Sequence, residues 1–123
     1  MVKIDRAFVT AGLLFLVLGM VLGFYMGASG DNKYLTVHVA ILLGGFVVLT
    51  FYGVIYRLWP ALKRGALVRA QFWIALIGAL TVAVGAALIA NQMGVAVAAA
   101  GSAFAILGAV LMLWIFSTGV GEA

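Results

Sequence analysis

Residues 7–27 read AFVTAGLLFLVLGMVLGFYMG, an unbroken run without Asp, Glu, Lys or Arg. About 20 mostly apolar residues in a helix cross the roughly 30 Å of hydrocarbon in a bilayer. The same property recurs at 37–56 (VHVAILLGGFVVLTFYGVIY), 71–90 (QFWIALIGALTVAVGAALIA) and 95–116 (VAVAAAGSAFAILGAVLMLWIF). The 123 residues are 67% hydrophobic and 8% charged, with a mean hydropathy of +1.32. A water-soluble domain of this length needs more charge to cover its surface, so lipid is the solvent for most of the chain. The expected fold class is therefore all-α: an integral membrane four-helix bundle, with residues 1–123 forming a single transmembrane domain.

Other classes fall away quickly. Lys3 and Arg6 precede the first span as they would in a signal peptide, but the apolar run is longer than the usual signal core of about 7–15 residues. No alternation of the kind a membrane β-barrel shows is present. With no Cys there is no disulfide framework and no thiolate chemistry. The net charge of +4 belongs to the loops, so it gives no reason to expect a nucleic-acid partner. Lys3, Arg6, Arg57, Lys63, Arg64 and Arg69 fall at one end of the spans, and Lys33 alone falls at the other, beside Asp31. The positive-inside rule assigns the basic end, and with it both termini, to the cytoplasm. Trp59, Trp73 and Trp114 fall at the same end, where an interfacial belt would place them. The expected location is a bacterial-type inner (cytoplasmic) membrane.

Glycine spacing carries a packing code. Gly19, Gly23 and Gly27 form a GxxxGxxxG ridge in the first span, and seven-residue spacings recur as Gly12/Gly19, Gly78/Gly85 and Gly101/Gly108. Small residues at these intervals share a helix face and let another backbone approach closely. They fit contacts within the bundle better than a homo-oligomer contact, although four spans leave much lipid-facing surface and a homo-oligomer is expected on that ground. Polar chemistry inside the spans is sparse. Without an intramembrane carboxylate, a proton relay finds no support. No GxSxG, HExxH, P-loop or dinucleotide fingerprint is present, and no enzymatic activity is expected. Thr50, Thr81 and Ser102 are expected to bond back to their own helices. Gln71, Asn91 and Gln92 sit near helix ends, within reach of solvent or headgroups. Gly44-Gly45 is the one candidate for a broken transporter helix, and a weak one.

His38, the only histidine, is the outstanding polar residue. It lies about one turn from the periplasmic boundary of the second span, and its helix face continues through Leu42, Gly45, Leu49 and Tyr52. Gly45 leaves room on that face for a flat group. One reading is an interfacial imidazole bonded to a loop carbonyl or headgroup. The other is an axial ligand, since neutral imidazole commonly binds metals. The stretch YLTVHVAILLGGF at 34–46, with Tyr56-Arg57-Leu58-Trp59-Pro60 closing the span, resembles helix II of subunit I of the haem–copper oxidases. The nearest branches are the high-affinity cytochrome oxidases and nitric oxide reductases. Ala70-Gln71-Phe72-Trp73-Ile74 is similar, less specifically, to helix III, and the resemblance covers roughly residues 33–92. In that family a matching His ligates the low-spin haem, so the resemblance implies haem b on the iron-binding His38 and a role in electron transfer or in haem and gas sensing. Subunit I is a much larger protein with several ligand histidines, and this chain has one, so a binuclear catalytic centre is not implied. A sixth ligand would come from a second His38 across a two-fold, or from Met26 or Met93, which otherwise pack as ordinary core or lipid-facing residues. A redox partner protein would then be needed. The competing expectation is a cofactor-free membrane scaffold or an accessory subunit of a respiratory complex.

Overall fold

The computed structural model describes residues 2–119. Four helices in it are long and apolar enough to cross a membrane: Ile4–Ser29, Leu35–Leu58, Val68–Ala90 and Ala96–Gly119. They are called the first to fourth helix below. The chain is a multi-pass, all-α membrane protein, and short connections make each helix antiparallel to the next. The first helix ends at Gly30, whose φ of 74° lets its N–H return to the Met26 carbonyl. An L side chain is disfavoured in that conformation, which is why Gly so often terminates helices. After the third helix, Gln92 takes the left-handed conformation (φ 59°) and the Met93 N–H returns to the Leu88 carbonyl, with Gly94 (φ 99°) completing the turn. Pro60 begins a short 3₁₀ turn, Pro60–Arg64, that stops the second helix and carries the chain over to the third.

Two helices differ from the sequence expectation. The first begins at Ile4 rather than near residue 7, and so takes Asp5 into its first turn. The second is not uniformly α-helical: Ala40–Val47 winds as a π-helix between α-helical ends. The candidate break at Gly44-Gly45 lies inside this segment, and the helix widens there without interruption. Such wide turns are uncommon and usually shorter.

Packing follows the glycines. Between the third and fourth helices, a methyl group at Gly78 would lie 2.7 Å from the Ala105 amide nitrogen, and one at Gly101 would lie 2.6 Å from that of Val82. Gly85 meets the Ala98 backbone and Gly108 meets Ala75. Between the first and second helices, Gly12 meets Thr50, Gly19 meets Leu42, and Gly53 meets the Asp5 carbonyl and Val9. The seven-residue spacings therefore mark contacts inside the bundle. Gly27, the last of the GxxxG ridge, meets no packing neighbour among the described residues.

The core sits towards the basic end. Phe8 is fully buried and stacks on Tyr56 at 5.8 Å, with Tyr52 (5.5 Å) and Phe72 (4.9 Å) edge-on around it. The fourth helix packs mainly against the third and joins the rest where Phe116 meets Trp59 edge-on at 4.9 Å. At the opposite end the two short connections are tied together, Lys33 Nζ donating to Asn91 Oδ1 at 2.7 Å. The fold thus gathers Lys3, Arg6, Arg57, Lys63, Arg64 and Arg69 at one end, in and beside the helix termini there, and leaves Lys33 at the other.

Candidate functional site

Three polar sites occupy the bundle, and His38 comes first. Its half-buried ring leans on the first helix, with Nδ1 2.8 Å from the Gly19 carbonyl oxygen. A carbonyl can only accept, so Nδ1 is the donor in this bond. The ring edge fits the notch at Gly23, where a methyl group would meet Cε1 at 2.8 Å. The face through His38, Leu42, Gly45 and Tyr52 is thus the one that packs on the first helix, against Gly19, Phe15 and Phe8. At Gly45 the flat group is the Phe15 ring, which lies directly on the glycine and is 4% exposed.

The other candidate ligands are scattered. Met26 is buried on the first helix, whereas Met93 is 69% exposed in the turn after the third. Among the described residues, no group of three or more His, Cys, Asp or Glu side chains comes together. Between the first and second helices the notches at Gly19, Gly23 and Gly45 are filled by the side chains of Leu42, His38 and Phe15. Of the His38 ring nitrogens, Nε2 is the one not engaged with the Gly19 carbonyl.

Two further sites were not apparent in the sequence. Gln71 was expected within reach of solvent but is completely buried. It accepts from the Tyr56 hydroxyl at 3.1 Å through Oε1 and donates to the Gly108 carbonyl at 3.3 Å through Nε2. One amide thus links the second, third and fourth helices, satisfying polar groups that would be costly to bury alone. Thr50 differs in the opposite sense: its Oγ1 was expected to bond to its own helix, but it is buried against Gly12 with no partner.

At the basic end, Asp5 is 4% exposed. Its Oδ2 accepts from Arg57 and from Lys63, both at 3.2 Å. The signal available in the sequence was that Asp5 lies at the same end as the cations of residues 57–64; only the fold pairs them. Beside this cluster a groove of about 460 Å³ opens between the first and second helices, lined by Asp5, Arg6, Val9, Thr10, Gly53 and Arg57 among others.

No protein-family model matches this chain, and neither does any curated protein or solved structure. The likeness to helix II of oxidase subunit I therefore rests on the quoted residues alone.

Proposed function

We propose that this chain is a cofactor-free membrane scaffold, an accessory subunit that contributes helices to a larger membrane assembly rather than chemistry of its own. The observation that carries this reading is the use of His38 and Gly45. The imidazole N–H is taken by the Gly19 carbonyl, and the space above Gly45 is filled by Phe15. Both residues serve the joint between the first two helices. An apolar face is open to a partner: Ile106, Val110 and Leu113, at helical spacing on the fourth helix, are each more than half exposed. A transmembrane helix of a partner, or of a second copy of this chain, is the complement such a face accepts.

On this reading His38→Ala removes one interhelical hydrogen bond, worth about 1 kcal/mol. The midpoint of thermal unfolding in detergent falls by a few degrees, and visible absorbance does not change. Loss of a Soret band in the variant would contradict the scaffold reading.

One observation favours a second reading, haem b held through Nε2. A ring whose Nδ1–H is fixed by a backbone carbonyl has the tautomer and orientation found in metal-bound histidines. Haem would supply one-electron or gas-binding chemistry there, and it would have to sit outside the first two helices, between copies of the chain, with a redox partner protein. The two readings differ in colour.

We place the basic end, with both termini, in the cytoplasm of a bacterial-type inner membrane, on the charge asymmetry between the two ends. A reporter inserted near Asn32 is then periplasmic, and one fused after Glu122, beyond the described residues, is cytoplasmic. Both reporters on one side would rule this arrangement out.

A further inference from the structure

The groove at the basic end is open, and its lining combines Asp5, Arg6, Thr10 and Arg57 with Val9, Gly53 and Val54. We propose that it is a binding site for the phosphate of an anionic phospholipid headgroup, with Arg6 and Arg57 as the recognising groups.

The charges favour an anion despite the carboxylate in the wall. Asp5 is buried, and Lys63 and Arg57 both contact its Oδ2. Arg6 lines the same groove, so two guanidinium groups stand in its lining against the one carboxylate, a local excess of positive charge. The Arg57 side chain is 76% exposed. A guanidinium carries five N–H donors, and the Asp5 contact involves only Nη1, so the outer part of the fork is available to an oxyanion. Arginine is suited to phosphate because its planar fork can donate two parallel hydrogen bonds. Arg6 and Thr10 are exposed on the first helix, one turn apart, and share a face at that spacing. The Thr10 hydroxyl can donate to a further phosphate oxygen.

The apolar part of the lining suits a lipid. Gly53 keeps the floor low, since a methyl group there would meet Val9 at 2.7 Å and the Asp5 carbonyl at 2.9 Å. Val9 and the exposed Val54 continue the groove from the arginines towards the centre of the membrane. A headgroup held by the arginines would therefore lay its first acyl segment along apolar surface. Basic pockets between membrane helices recognise anionic lipid headgroups on this principle. A zwitterionic headgroup would present its own cation to the same positive field and be held less well.

The test uses the full chain purified in detergent and titrated with phosphatidylglycerol, phosphatidylcholine or inorganic phosphate. Retained lipid is read by native mass spectrometry, and the thermal midpoint is read in parallel. The expected result is retention and stabilisation by phosphatidylglycerol and little of either from phosphatidylcholine. Arg6→Gln and Arg57→Gln each weaken retention about tenfold, and Thr10→Val weakens it less. Arg69→Gln, a charge change outside the groove, has at most a twofold effect. Arg57→Gln also disturbs Asp5, but Arg6 and Thr10 have no part in that pair, so their variants read lipid binding alone. Equal loss in Arg6→Gln and Arg69→Gln would reduce the effect to net charge and overturn the proposal. Equal retention of the two lipids would overturn it as well. Stabilisation by inorganic phosphate matching that by phosphatidylglycerol would assign the groove to a soluble anion instead.

Discussion

Gly78→Leu and Gly101→Leu each lower the stability of the chain in detergent by about 1–3 kcal/mol or more, the range for forcing a side chain into a filled contact. The cause is local. At both positions the nearest atoms of the facing helix are backbone: Ala105 opposite Gly78, and Thr81 and Val82 opposite Gly101. Backbone cannot rotate out of the way as a side chain can, so the third and fourth helices must separate along their joint. The fourth helix packs mainly on the third, and separation there loosens its only extensive contact. Gly27→Leu is the control, because among the described residues no packing neighbour lies within 4 Å of a methyl group at that position, and its unfolding midpoint should match the parent. Thermal unfolding followed by circular dichroism measures all three. Equal stability of the three variants would mean that the glycines of the hairpin face lipid.

The second large effect belongs to the ion cluster at the basic end. Replacing Arg57 and Lys63 together by Met leaves the Asp5 carboxylate, 4% exposed, without either of the cations that contact it. Stranding a deeply buried charge costs several kcal/mol; here, at the end of a helix next to headgroups, about 2 kcal/mol is expected. Adding Asp5→Asn to the double variant removes the stranded charge and should restore most of the loss. This recovery separates the electrostatic cause from the loss of two long side chains. A triple variant as unstable as the double would show that Arg57 and Lys63 act by packing.

The architecture was legible because it depends on composition and period. Four charge-free runs of about 20 residues can only be satisfied in lipid as helices. The spacing of Gly78/Gly85 and Gly101/Gly108 identified the face on which the last two helices meet, and the uneven distribution of Lys and Arg identified the two ends. What remained illegible is set by partners distant in sequence. Gln71 near the start of an apolar run looks accessible until the Tyr56 hydroxyl and the Gly108 carbonyl are brought against it. Gly45 looks like a space until Phe15 fills it. Asp5 looks like a flanking charge until the first helix is extended to Ile4 and Arg57 is carried back alongside. The π-helical winding of Ala40–Val47 has no signal in an apolar sequence that any helix would accept.

His38 shows the same limit most clearly. A lone imidazole near a membrane interface is compatible with a ligand and with a helix joint, and its sequence neighbours do not choose between them. The geometry adds that Nδ1–H is held by Gly19 and that the ring is seated at Gly23. That arrangement gives the imidazole a purpose without iron, and on it the scaffold reading rests.

The most direct measurement is the haem content and absorption spectrum of the wild-type chain, expressed with ample haem and purified in a mild detergent. The wild-type protein is expected to be colourless, with no Soret band and negligible haem per chain. A Soret band at one haem per chain or per two chains, lost in His38→Ala, would contradict this expectation and make Nε2 of His38 an iron ligand.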